Sequence, residues 1–150
     1  MACTPAIGEA RSKRIHVTAK IIEATLIGEP AEPKIGDQSI STVVLLDKDN
    51  TEVGTGTGIC TLVTLPASGV EALVQCFITA TFDKKGQIIF GGIAPFPNIG
   101  AEGHFGIFGG TDGFRTARGE VTLVVISEKL QDATFDIEID SERRHGKFTD

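Results

Sequence analysis

The sequence predicts an all-β protein, an eight-stranded antiparallel barrel with a lipocalin-like cavity. Apolar and polar residues alternate with a period of two along most of the chain, and no segment carries the apolar stripe of an amphipathic helix. Glycine, which disfavours helices, provides 18 of 150 residues. This length suits one domain, and closing eight strands into a barrel removes the edge strands and can enclose one small ligand.

Eight segments have the pattern of half-buried strands, and turn-rich stretches separate them. The first segment contains helix formers, but its many Ile, Val and Thr residues alternate with polar residues and favour a strand. Tight turns at residues 47–50 and 83–86 predict antiparallel hairpins. The predicted strands are residues 15–26, 39–46, 52–65, 72–82, 87–93, 104–108, 121–127 and 133–140.

The same pattern predicts a barrel domain over residues 15–140, with an N-terminal arm of residues 1–14 and a charged tail of residues 141–150. The formal net charge of −6 argues against a nucleic-acid partner, because phosphate contacts need a basic face. The apolar runs are too short for a helix that spans a membrane, so no membrane partner is expected.

Cysteine usage and the N-terminus predict a cytoplasmic protein with reduced thiols. The three cysteines are an odd number without the dense spacing of a disulfide scaffold. The basic residues near the N-terminus are not followed by the apolar stretch of a secretory signal. The histidines lack metal-ligand spacing and no nucleophile elbow occurs, so neither a metal site nor a catalytic triad is expected.

Glu23 is the candidate catalytic residue. By the period of two along the first strand, Glu23 shares a face with Val17, Ala19 and Ile21. A carboxyl group on an apolar face is suited to act as a general acid or base. The alternative is that the strand ends nearby and Glu23 reaches water.

A row of small residues, Gly54, Gly56, Gly58 and Cys60, shares one face of the third predicted strand. The row leaves room for a ligand, or it lets the sheet coil sharply at a barrel corner. Its spacing is not that of a dinucleotide-binding loop, and no helix follows it. Buried cysteines such as Cys60 and Cys76 more often fill space than act as nucleophiles.

Residues 109–119, Gly-Gly-Thr-Asp-Gly-Phe-Arg-Thr-Ala-Arg-Gly, form the most specific stretch of the sequence. They resemble the GGTG-x-F-x-x-A-x-G signature of dirigent proteins and the corresponding segment of plant allene oxide cyclases. Residues 53–58 resemble the VGxxxG strand of dirigent proteins, and residues 58–60 resemble the Gly-Leu-Cys of the cyclases. Residues 36–43 are similar in placement to the cyclases' GDLVPF segment. The resemblance implies an eight-stranded antiparallel barrel with an apolar lumen.

The resemblance also implies a function, because these families use barrel shape to select one conformer of a reactive apolar molecule. Allene oxide cyclases close a fatty-acid epoxide without a cofactor, dirigent proteins steer phenoxy-radical or quinone-methide coupling, and bacterial barrels of the superfamily catalyse spiro-forming cycloadditions. The matched positions imply Glu23 as the lumen acid and Cys60 as a cavity residue. Thr25 and Val43 stand where the cyclases have asparagines, and the chain contains no tyrosine.

We therefore expect a cofactor-independent isomerase or cyclase that folds a flexible apolar small molecule, of polyketide, polyene or fatty-acyl type, for stereoselective ring closure. The expected catalytic residue is Glu23. The expected substrate-binding residues are Thr25, Val43, Gly58, Cys60, Cys76, Phe82 and Phe90. Two alternatives are a non-catalytic, dirigent-like barrel that binds such a molecule, and a structural oligomer whose barrel is filled by side chains.

A homo-oligomer is also expected, a trimer or alternatively a dimer. Several predicted strands, such as residues 121–126, are apolar on both faces. Both faces of such a strand are expected to be buried, one in the lumen and the other against a partner chain. The families that the sequence resembles assemble in the same way.

Overall fold

The computed structural model describes residues 10–66 and 71–140. Each strand pairs antiparallel with the next, and the eighth strand pairs with the first, so the sheet closes into a barrel and confirms the predicted fold class. The elements are β1 (Ala10–Ile27), β2 (Gln38–Leu46), β3 (Glu52–Thr64), β4 (Leu73–Phe82), β5 (Gly86–Pro95), β6 (Glu102–Gly110), a 3-10 helix (Asp112–Phe114), β7 (Arg118–Val125) and β8 (Leu130–Asp140).

The first strand begins earlier than predicted. Residues 10–14, assigned from the sequence to the N-terminal arm, belong to β1 and pair with the end of β8. Residues 1–9 of that arm and the predicted tail, residues 141–150, lie outside the described residues. Within the described ranges no helix is long and apolar enough to cross a membrane.

Both predicted hairpin turns are present, between β2 and β3 and between β4 and β5. Asn50 and Lys84 adopt positive φ angles of 60° and 61°, as tight turns require. In the first turn the Asp47 carboxylate accepts hydrogen bonds from the backbone N–H groups of Asp49 and Thr51, each at 2.9 Å. These bonds stabilise the turn, because they give its backbone N–H groups a partner within the protein.

A β-bulge interrupts the alternation of β1. Ile21 pairs with Val43 of β2, and Glu23 pairs with the adjacent Thr42. Ile22 is therefore an extra residue on β1 without a partner on β2. An extra residue reverses the inside and outside positions of every residue that follows it in the strand.

One end of the barrel is filled by buried side chains. Phe82 packs against Phe114 and Phe135, with ring centroids 5.7 and 5.4 Å apart. Ile88 and Val121 are completely buried beside them. The 3-10 helix carries Phe114 across this end of the barrel. Buried side chains therefore fill the barrel at this end, which we call the filled end.

Cys60 of β3 and Cys76 of β4 are directly opposite each other and form a disulfide bond. The expectation of reduced thiols is wrong for these two residues, because only the strand register shows that they face each other. The third cysteine, Cys3, lies outside the described residues. Disulfides persist mainly in oxidising compartments. The bond therefore counts against the cytoplasmic location, which stays a prediction.

Candidate functional site

The second half of the barrel is hollow. A cavity of about 730 Å³ occupies the lumen between the filled end and the end where β1, β3, β5 and β7 finish. We call that open end the mouth. Small-molecule sites in proteins usually have volumes of roughly 300–1,000 Å³. The lumen is therefore large enough for one guest of drug-like size.

Three phenylalanines form the floor of the cavity: Phe90, Phe105 and Phe135. Phe90 lies edge-on to Phe135, with centroids 5.5 Å apart and planes at 90°, and its centroid is 5.9 Å from that of Phe105. All three side chains are buried. Because aromatic rings in such contacts hold each other in place, the floor is a fixed apolar surface.

Small and aliphatic residues form most of the wall. Gly58 faces the lumen, and a Cβ atom there would lie 3.1 Å from a side-chain carbon of Ile78. At Gly54, nearer the filled end, a Cβ atom would lie 2.1 Å from the Thr81 carbonyl oxygen. The two interpretations of the glycine row therefore hold at different positions: Gly54 permits the close approach of backbones, and Gly58 adds space beside the guest.

Two loops shape the mouth. The first, residues 28–37, is held to β3 by a hydrogen bond of 2.8 Å from the Gly36 N–H to the Leu62 carbonyl oxygen. The second, residues 96–101, is held to β7 by a bond of 2.8 Å from the Gly100 N–H to the Val125 carbonyl oxygen. Since both loops are tied to the barrel wall, the mouth has a defined outline.

The polar groups of the lumen include Ser39 and Ser41 on β2 and Gln131 on β8. Gln131 faces inwards, because it pairs with Ala19 and Val125, which both line the cavity. Within the described part of the chain, no hydrogen bond joins its carboxamide to another residue. The carboxamide is therefore available to a guest as both donor and acceptor.

The charged residues that line the cavity are all acidic among the described residues: Glu29, Asp37 and Glu128. They lie at the mouth, on the two connections that follow β1 and β7. The part of the lumen below them has no Asp, Glu, Lys, Arg or His in its described lining. The described residues also contain no cluster of three or more His, Cys, Asp or Glu side chains that could hold a metal ion.

The structure brings together most of the predicted substrate-binding residues. They lie on four successive strands, β2 to β5, and all of them line the cavity. The disulfide bond between Cys60 and Cys76 cross-links β3 and β4 in this part of the wall. Their role in binding remains a prediction. These residues are Val43, Gly58, Cys60, Cys76 and Phe90.

The predicted inward orientation of Glu23 is wrong, and so is that of Thr25. Both side chains are exposed, and neither lines the cavity. The bulge at Ile22 reverses the alternation, so Ala24 and Leu26 face the lumen in their place. The sequence carries a signal for this reversal, because apolar residues occupy odd positions up to residue 21 and even positions from residue 22 to 26.

Phe82 also lies outside the cavity, although it faces inwards as predicted. It is buried in the filled end of the barrel, in contact with Phe114 and Phe135. The period of two gives the face of a strand but not the height along the barrel axis. Gln131 was missed because the last predicted strand begins at residue 133, whereas β8 begins at Leu130 and includes Gln131.

No model of a known protein family matches the chain, and no curated protein matches it in sequence. Solved structures do match. A pyocyanin demethylase superposes with a TM-score of 0.72 at 20% identity, covering 83% of this chain and 99% of that one. An exo-specific intermolecular Diels-Alderase superposes with a TM-score of 0.72 at 18% identity, covering 86% and 99%.

A pterocarpan synthase dirigent protein superposes with a TM-score of 0.67 at 18% identity, covering 92% of this chain and 93% of that one. The chain therefore shares the barrel fold of these three structures. At these identities the likeness concerns the fold alone.

Proposed function

We propose that the chain is a cofactor-independent cyclase that folds one flexible apolar molecule in the lumen for stereoselective ring closure. The observation that carries this proposal is the cavity of about 730 Å³, closed at one end by a fixed aromatic floor and open at the other. Holding the two reacting ends of a flexible molecule together removes much of the entropic barrier to an intramolecular reaction.

The lumen favours a ring closure that needs no proton transfer. Its described lining below the mouth has no acidic or basic side chain, so general acid–base catalysis has no residue there to perform it. A cycloaddition between a diene and an alkene fits such a lumen. Three π bonds are replaced by two σ bonds and one π bond, and no proton or electron enters or leaves. The fold shared with an intermolecular Diels-Alderase supports cycloaddition as the class of reaction.

The proposal is tested with a panel of linear molecules in which a conjugated diene is tethered to an unsaturated ketone. The purified protein is expected to accelerate ring closure and to enrich one diastereomer, measured by chiral chromatography against heat-denatured protein. Product mixtures that are identical with and without folded protein, for every member of the panel that binds, would contradict a cyclase.

The second candidate function is a dirigent-like barrel that binds and directs a small apolar molecule without converting it. The lack of an acidic side chain in the described lining below the mouth and the fold shared with a dirigent protein support this alternative. Recovery of the bound molecule unchanged, as measured by mass spectrometry, would favour it over the cyclase. The hollow lumen contradicts the third alternative, a structural barrel filled by side chains.

A further inference from the structure

We propose that the cavity takes neutral or cationic amphiphiles and discriminates against carboxylates. The apolar end of the guest lies on the floor of Phe90, Phe105 and Phe135, and a hydrogen-bonding group of the guest meets Gln131. This inference rests on the proposed function in one respect, because it requires that the lumen holds a small molecule. It narrows the substrate class to one that excludes free fatty acids.

The direction of the guest follows from the distribution of polar atoms along the barrel axis. The floor consists of buried phenylalanine rings, and apolar surface gains most by contact with other apolar surface. The acidic residues and the loop backbone lie at the mouth, where water reaches them. An amphiphile that enters with its apolar end first therefore keeps its polar group closer to water.

Gln131 provides the point of attachment inside the lumen. Its carboxamide is half-buried between Ala19 and Val125 and has no hydrogen-bond partner among the described residues. A polar group in apolar surroundings gains by pairing with a partner that enters the site. Because the carboxamide both donates and accepts, it fits a carbonyl or a hydroxyl group of the guest.

The charge selection follows from the residues at the mouth. Glu29, Asp37 and Glu128 line it, and the described lining contains no Lys, Arg or His to balance them. Lys20 and Lys129 line an adjoining groove on the outer wall that shares Glu128 with the cavity, but neither lysine lines the cavity itself. Like charges repel more strongly beside low-dielectric walls than in open water. A carboxylate guest is therefore disfavoured and a cationic guest is not.

The test is competition for a neutral fluorescent probe, N-phenyl-1-naphthylamine, by decanol, decylamine and decanoate at neutral pH. These ligands share one alkyl chain and differ in charge. Decanol and decylamine are expected to displace the probe at concentrations about tenfold lower than decanoate. Equal displacement by all three would overturn the inference and leave the proposed function standing. A probe that does not bind at all would contradict both.

Variants of the acidic residues test whether the discrimination against carboxylates arises at the mouth. The double variant Glu29→Gln/Glu128→Gln is expected to bind decanoate about tenfold more tightly and decanol unchanged. The matched control, Glu52→Gln/Asp83→Asn, makes the same change in net charge near the filled end of the barrel, and should not change decanoate binding. An equal gain in both double variants would show an effect of net charge alone and overturn the inference.

The attachment point is tested with Gln131→Leu, which keeps the size of the side chain and removes its polar atoms. Decanol is expected to bind about three- to tenfold more weakly, the usual effect of one lost hydrogen bond. Binding of the probe, which relies on the apolar floor, should change less. Gln75→Leu is the matched control, because Gln75 is exposed on the outside of β4. Unchanged decanol binding by Gln131→Leu would overturn the assignment of Gln131.

Discussion

Ala24 and Thr25 are neighbours in β1 whose side chains lie on opposite sides of the barrel wall. Ala24 lines the cavity near the mouth, and Thr25 is exposed on the outside. Their positions depend on the bulge at Ile22, so this pair provides a direct test of which face of β1 is inward.

We predict that Ala24→Phe lowers the affinity for an apolar probe by about tenfold or more, because the ring occupies space that the guest needs. Thr25→Phe should leave the affinity within about twofold, since its ring points away from the lumen. Fluorescence titration measures both. Glu23→Gln is expected to behave like Thr25→Phe in binding and in turnover. Loss of turnover in Glu23→Gln would contradict the orientation of Glu23 described above.

At the scale of elements, the eight strands and both hairpins were predictable because each depends on short-range pattern. Alternation identifies a strand, and turn residues identify its ends. The bulge in β1 limited the prediction of the site. One extra residue at Ile22 reversed the faces of Glu23 and Thr25, and an alternation counted straight through Ile22 assigns both to the wrong face.

The disulfide between β3 and β4 is a second feature at this scale. It joins residues 16 positions apart and restricts the unfolded chain, which by loop length is worth about 3 kcal/mol. We predict that Cys60→Ala/Cys76→Ala lowers the free energy of unfolding by about this amount. Chemical denaturation measures the change.

The control for this prediction is a reducing agent. It should lower the unfolding midpoint of the unmodified protein and leave that of the double variant unchanged. The same midpoint for reduced and oxidised protein would contradict a stabilising disulfide.

The outside of the barrel carries a row of exposed apolar residues on β2, β3, β4 and β6. Ile40 pairs with Ile59, and Ile59 pairs with Phe77. Phe108 of β6 stacks on Phe77 with centroids 6.0 Å apart. The exposed fractions of these four residues are 38%, 42%, 55% and 62%, which is unusual for large apolar side chains in contact with each other.

We propose that this row is the interface between copies of the chain in a trimer, with a dimer as the alternative. Around a three-fold axis each copy would turn its row towards the rows of the other two and remove all three from water, and in the alternative dimer two rows would face each other. Light scattering is expected to give about three times the chain mass of 15.8 kDa. Phe77→Lys/Phe108→Lys should shift the protein to smaller species. A single species of 15.8 kDa in the unmodified protein would contradict the proposal.

The control for the interface is Thr51→Lys/Thr55→Lys, which adds the same two positive charges at exposed positions near the filled end of the barrel. This variant should keep the mass of the unmodified protein. Circular dichroism of both variants shows whether the barrel remains folded. A loss of assembly in both would point to a general effect of charge on association.

The β class, the number of strands and the hairpin turns could be predicted from the amino-acid sequence. These features follow from periodicity and turn chemistry, which act between residues close in the chain. The folded structure was needed to show which face of β1 is inward beyond Ile21, that Phe82 belongs to the filled end, and that Cys60 meets Cys76. Those facts depend on strand register and barrel closure, which arise from contacts between residues far apart in sequence.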